Sequence, residues 1–196
     1  MPSLKPFLIK LPLVILCVAS LSALQGCFPI IAAGVGTGAL LANDRRTTGT
    51  YIEDEGIESH GNSRVGIKYT SGVHVNITSF NRHVLLTGEV ASEDIKTDIG
   101  KIAADIPNVK AVSNELVVSG LTGLSSRSSD ALITGDVKLR YINNKVFQAV
   151  HVKVVTENGT VYLMGLVYHK EADTAAQIAS TTGGVQRVVK MFEYLD

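Results

Sequence analysis

Between residues 150 and 167 the chain reads VHVKVVTENGTVYLMGLV, and apolar and polar positions alternate through its first half. Val150, Val152 and Val154 fall on one face and His151 and Lys153 on the other, the two-residue period of a half-buried strand. Asn158-Gly159 supplies the pair that a type I′ turn needs at φ > 0, so TVYLMGLV (160–167) is expected to return as the partner strand. In HKEADTAAQIAST (169–181) the period changes. Ala172, Ala175, Ala176 and Ala179 form a helical stripe of small residues that permits close approach to a sheet. Gly183-Gly184 ends that helix, and VQRVVKMFEYL (185–195) reads as a third strand. Upstream, SDALITGDVKLRYINN (129–144) offers Ser129 or Asp130 as an N-cap, with Leu132, Ile133, Val137 and Tyr141 at helical spacing. The unit is α-β-β-α-β.

The same plan occurs twice. Val84, Leu86, Gly88 and Val90 match Val161, Leu163, Gly165 and Val167 at a constant spacing of 77, as do His74 with His151 and Asn81 with Asn158. NVKAV (108–112) answers GVQRV (184–188) at a spacing of 76. In the first copy SEDIKTDIGKIAADIP (92–107) predicts a second helix with Ile95, Ile99, Ile102 and Ile106 on one stripe and Pro107 as its stop. The stretch expected to form its first helix, EDEGIESHGNSRVGI (53–67), holds three glycines, each costing about 1 kcal/mol against alanine. A short or frayed helix is expected there. Arg82 stands where the second copy has its turn glycine, so it must enter φ > 0 or force another turn.

These elements divide the chain into a leader (1–26), a tether (27–50), a first domain (51–119), a Gly/Ser-rich linker (120–129) and a second domain (130–196). The fold class is α+β, two tandem two-layer sandwiches. A domain of about 65 residues buries only about 60% of its unfolded surface. The two copies are therefore expected to pack on each other, on a surface that the pattern does not reveal.

Lys5 and Lys10 precede the apolar run LPLVILCVASLSAL, roughly 14 residues and too short to span a bilayer, followed by LQGC ending at Cys27. This is a secretory signal whose ending resembles a bacterial lipobox, which implies diacylation of Cys27 and cleavage before it. Cys17 leaves with the leader, so no thiol remains for a disulfide, a metal cluster or a nucleophile. Of 196 residues 18 are basic and 18 acidic; losing Lys5 and Lys10 leaves 16 against 18, a net charge of about −2. That balance disfavours nucleic acid, which calls for clustered Lys/Arg and a basic field. GVGTG (34–38) lacks the strand, helix and acidic residue that a dinucleotide site requires, and reads as membrane-proximal linker. Arg45 and Arg46 are placed to touch lipid headgroups.

Two α-β-β-α-β units, each with an Asn-centred turn, a Val-x-Leu-x-Gly-x-Val strand and a late Val-x-x-Val strand, resemble BON domains. A lipobox followed by two of them is similar to the dual-BON outer-membrane lipoproteins. The resemblance implies a periplasm-facing, lipid-anchored protein of the outer membrane that supports envelope integrity. Its second domain would bind anionic phospholipid such as phosphatidylglycerol or cardiolipin. Phe28 after the modified cysteine, where aspartate is absent, fits outer-membrane sorting. In that family lipid contact falls to the first helix of the second domain, here DALITGDVKLRYI (130–142). Leu132 and Ile133 would insert, while Lys138, Arg140 and Lys145 meet phosphates. The competing assignment is structural: Leu132 serves core or surface equally well, whereas Ile133 and Val137 belong to the core. A rival function is a periplasmic scaffold for outer-membrane assembly machinery or peptidoglycan-remodelling factors.

Catalytic, metal and cofactor sites are not indicated. His60, His83 and His169 are scattered, and alternation places His74 and His151 away from the valine layer, exposed on their strands. No pair has the i, i+4 spacing of a helical metal site. EDE (53–55) and SED (92–94) read as solvated helix starts. Gly88 and Gly165 mark a bulge or a close approach of backbone.

Overall fold

A computed structural model describes residues 43–121 and 123–196. The leader, Cys27 and most of the tether lie outside the described residues. The first domain comprises α1 (Thr48–Lys68), β1 (Val73–Phe80), β2 (His83–Val90), α2 (Glu93–Ala104), β3 (Ala111–Asn114) and β4 (Val117–Val118). The second comprises α3 (Leu124–Asn143), a 3₁₀ turn at Ala149–His151, β5 (Val152–Glu157), β6 (Thr160–Val167), α4 (His169–Ser180) and β7 (Arg187–Tyr194). Each copy has an antiparallel hairpin whose second strand also pairs in parallel with the last strand of the unit. Registers agree between copies: Val75 lies opposite Gly88 and Val152 opposite Gly165. The single last strand of the second unit is split into β3 and β4 in the first.

Alternation sorts every strand residue to one of two faces. Ile77, Val84, Leu86 and Val90 meet Ile57, Val65, Ile99 and Ala103 of α1 and α2 in the first core. Val152, Val154, Val161, Leu163 and Val167 meet Ile133, Val137, Tyr141, Ala172, Ala175 and Ala179 of α3 and α4 in the second. The centres of the opposite faces are also withdrawn from water. Phe80 and Leu85 of the first sheet pack on Tyr162 and Met164 of the second, with Val155, Leu166, Val189 and Met191 around them. The order of layers is helices, sheet, sheet, helices. Burying each of these large side chains contributes on the order of 2 kcal/mol, which offsets the smallness of each domain. Polar ties frame the seam. Lys153 Nζ donates to Glu58 Oε1 at 2.6 Å, and Asn81 Nδ2 to Glu193 at 2.8 Å.

Three local expectations need correction. The first helix is neither short nor frayed, since α1 runs 21 residues and Thr47 caps it by accepting from Thr50 N at 3.1 Å. Tertiary contact overrides propensity here: Gly61 brings the α1 backbone so close to β1 that a Cβ would stand 2.9 Å from Ile77 Cδ1. The helix of the second unit begins at Leu124, six residues before Asp130, and absorbs much of the stretch read as linker. Its N-cap is Gly123. Asp130, buried inside the helix, instead accepts from Asn158 N at 2.9 Å and Gly159 N at 2.8 Å. Asp54 does the same in the first unit, taking Asn81 N at 2.8 Å and Arg82 N at 2.7 Å. That carboxylate holds Arg82 at φ 67°, beside Asn81 at 51°, in the conformation that Asn158 (49°) and Gly159 (71°) adopt.

Candidate functional site

The helix α3 is turned by three side chains. Ile133, Val137 and Tyr141 recur at spacings of four on its inner side. Tyr141 anchors the register, its hydroxyl donating to Ala175 O at 2.9 Å and its ring meeting Phe147 edge-on at 5.0 Å. Burial pushes its phenol well above the usual range. With that face committed to the core, the far side of the helix carries Leu132, Leu139 and Ile142, exposed by 76%, 61% and 68%. At 100° per residue these positions fall on one stripe, with Gly135 between them.

The structure therefore divides the residues singled out from sequence. Leu132 is on the surface. Ile133 is 6% exposed and packs in the core, so it is no surface anchor, in line with its core assignment. Lys138 and Arg140 flank the apolar stripe on either side, and both are exposed. Arg140 is partly engaged, donating to Thr181 O at 3.1 Å with Asp136 at 3.8 Å. Lys145 is exposed just past the helix end, in a turn where Asn144 Oδ1 accepts from Val146 N at 2.8 Å and Phe147 N at 3.0 Å. Leu139 and Ile142 are additions. Their signal is an i, i+7, i+10 series with Leu132, opposite the Ile133–Val137–Tyr141 series, but two opposed stripes blur the one-sided pattern that marks an amphipathic helix.

At the Lys145 end of α3 the chain enters the described fold. Arg45 clamps Glu171 through Nη1 to Oε2 at 2.6 Å and Nη2 to Oε1 at 2.9 Å, and also donates to Leu166 O at 2.8 Å. This pairing raises the Arg45 pKa and lowers that of Glu171. Arg46 bridges Asp44 and Asp54, each at 2.8 Å, and lies over the Phe80 ring at 4.1 Å. Both arginines are thus structural ties, not headgroup ligands, because nearby carboxylates claim them. His151 Nε2 donates to Asn43 O at 3.0 Å. Burial and then the Arg45 charge lower its pKa, against the Asn43 hydrogen bond, Glu171 and Asp44, which raise it. Arg45, Lys145, Phe147, His151 and Glu171 line one cleft of about 400 Å³.

The two equivalent histidines are not exposed. The face away from the helices is the seam between sheets, so His74 retains 18% of its side-chain exposure, and His151 lies under the entering segment at 8%. Nor are potential ligands scattered in space. His74, Glu89 and Glu157 present donor atoms within 4.8 Å of one another, although they come from β1, β2 and β5. Spacing along the chain does not reveal this, because the third member arrives from the other domain. Among the described residues no helix is long and apolar enough to cross a membrane.

The model of the family described as BON domain matches residues 54–120 and 129–196. The outer membrane lipoprotein DolP of Haemophilus influenzae is 38% identical over 175 residues, covering 88% of this chain and 91% of that protein. The 21 kDa hemolysin of Actinobacillus pleuropneumoniae is 30% identical, covering 78% of this chain and 79% of its own. Osmotically-inducible protein Y of Escherichia coli is similar at 26% identity, covering 71% of this chain and 72% of that protein.

Proposed function

The chain belongs to the BON-domain family as a dual-domain, envelope-associated member, and we propose that it is a non-catalytic lipoprotein whose second domain binds anionic phospholipid. Cys27 would carry the lipid in the outer membrane, on its periplasmic side, and the bound lipid would place the protein where it supports envelope integrity. One observation carries the reading: the apolar stripe of Leu132, Leu139 and Ile142 turned away from the core and flanked by Lys138, Arg140 and Lys145. Such a helix lies along a bilayer with its apolar stripe among the acyl chains, and each basic residue near an anionic surface contributes about 1 kcal/mol.

The entry segment supports the same arrangement. Asn43 sits beside the Lys145 end of α3, and 15 residues lie between it and Cys27. That tether reaches at most about 55 Å, so an anchored protein keeps α3 within reach of the membrane. Tethering makes the second contact intramolecular, and weak headgroup contacts then suffice.

Co-sedimentation of protein lacking residues 1–27 with vesicles tests the reading. We expect salt-sensitive binding to phosphatidylglycerol-containing vesicles and none to phosphatidylcholine vesicles. Leu139→Ser with Ile142→Ser, and separately Lys138→Glu with Lys145→Glu, should each weaken binding at least tenfold while leaving the circular dichroism spectrum unchanged. Failure of the unaltered protein to bind anionic vesicles would reject the lipid-binding role and favour the periplasmic scaffold.

A further inference from the structure

The seam between the two sheets is apolar at its centre, yet it buries two carboxylates toward one end. Glu89 is 3% exposed and Glu157 9%. His74 Nδ1 stands 3.1 Å from Glu89 Oε2 and 3.9 Å from Glu157 Oε1. His74 and Glu89 are hydrogen-bonded across the β1–β2 pair of the first domain, and Glu157 is brought to them by β5 of the second, so that all three donor atoms lie within 4.8 Å of one another. We propose that His74, Glu89 and Glu157 form a binding site for a zinc-class divalent ion that clips the two domains together.

The donor set fits such an ion. One imidazole nitrogen and two carboxylate oxygens are three of the four positions of a tetrahedral site, leaving the last to water. Bonds of about 2.0–2.1 Å place neighbouring donors roughly 3.4 Å apart, so the 3.1 Å His74–Glu89 pair would open slightly and the 3.9 Å His74–Glu157 pair would close. An imidazole ligand favours zinc over magnesium or calcium, which take oxygen ligands alone.

A supporting shell is in place. Asn76 Nδ2 donates to Glu157 Oε2 at 2.7 Å, which fixes the carboxylate and leaves Oε1 facing His74. Independent of the ligands, Thr87 is 1% exposed and its Oγ1 has no hydrogen-bond partner. Thr87 shares a strand face with Glu89 and lies opposite Asn76 in the register, so its hydroxyl points into the same seam. A water on the ion supplies the partner it lacks. The ion has an entry path through a cleft of about 410 Å³, whose walls include His74, Asn76, Glu157, Arg127 and Asp130. Asp130 is committed to the amides of residues 158 and 159 and is not a ligand.

The test uses the full chain, purified in detergent and stripped with EDTA. Calorimetric titration with zinc chloride should show one saturable site with a micromolar or tighter Kd and a rise in Tm, with no effect from magnesium or calcium. Cobalt(II) should give a visible d–d band that zinc displaces. His74→Asn and Glu157→Gln should each weaken zinc binding at least tenfold. Magnesium and calcium controls on the unaltered chain keep the test informative if a substitution unfolds the protein. Absence of one-site zinc binding, equal binding of magnesium, or full-strength binding in folded His74→Asn protein would overturn the proposal.

Discussion

Arg82 holds φ 67°, a region that disfavours any residue with a Cβ, and it does so next to Asn81 in the same region. What makes the strain tolerable is Asp54, 2% exposed, which takes both turn amides and the Ser79 hydroxyl at 2.7 Å. Arg46, in turn, neutralises that carboxylate at 2.8 Å. Asp54→Ala leaves two amides and the Ser79 hydroxyl without their acceptor and leaves Arg46 with Asp44 alone, and each buried unsatisfied group costs about 1–3 kcal/mol. The expected loss is about 3–5 kcal/mol, read from urea melts. Asp130→Ala should lose about half of that, because Gly159 needs no help to reach its φ and Asp54 holds a buried hydroxyl besides its two amides. Equal losses would show that backbone strain at Arg82 is not what separates the two turns.

At the scale of elements, β-strands and hairpins were legible because their signals are local. Val150, Val152 and Val154 declare one face, and Asn158-Gly159 declares a turn. The helix α1 was not legible, because three glycines carry a propensity penalty while the compensation comes from β1 and from Asp54, both distant in sequence. The three glycines are also not alike. A Cβ at Gly61 would lie 2.9 Å from Ile77 Cδ1 and 3.2 Å from Ile106 Cδ1, whereas at Gly56 it would meet nothing within 4 Å. Gly56→Ala should stabilise the protein by about 0.5–1 kcal/mol through reduced backbone entropy. Gly61→Ala should destabilise by about 1–2 kcal/mol, the overpacking of a filled core outweighing the same entropic gain. Thermal melts of the pair decide this, and the account fails if both shift in the same direction. The second face of α3 escaped for a related reason. Ile133, Val137 and Tyr141 were visible as core, but Leu139 and Ile142 needed the helix to be set against its sheet before their exposure meant anything.

On the scale of the whole molecule, what the sequence hides involves one domain, or the entry segment, meeting the other domain. The seam, the His74–Glu89–Glu157 group and the entry segment all join residues about 80 to 130 positions apart, and alternation alone assigns such faces to solvent. The entry segment also carries a pH dependence. His151 is held neutral by burial and by Arg45, with Glu171 and Asp44 pulling the other way, so its folded pKa lies below the ordinary 6.5. Between these two values the unfolded chain binds more protons than the folded one, and stability therefore rises with pH. Above about pH 6.5 the contribution is complete; on acidification it is lost, with a slope below the one-proton ceiling of about 1.4 kcal/mol per pH unit. Glu171 acts in a lower window: its depressed pKa adds stability that is present above 4.5 and disappears as pH falls through the folded value. His151→Gln keeps an N–H for Asn43 O but cannot titrate. Urea melts from pH 7.5 to 5.5 should show the unaltered protein weakening while this variant stays flatter, and parallel curves would remove His151 as the cause. The same comparison by hydrogen exchange at residues 43–46 would locate the loss, since protonation of the imidazole places a second cation beside Arg45 and loosens the entry segment.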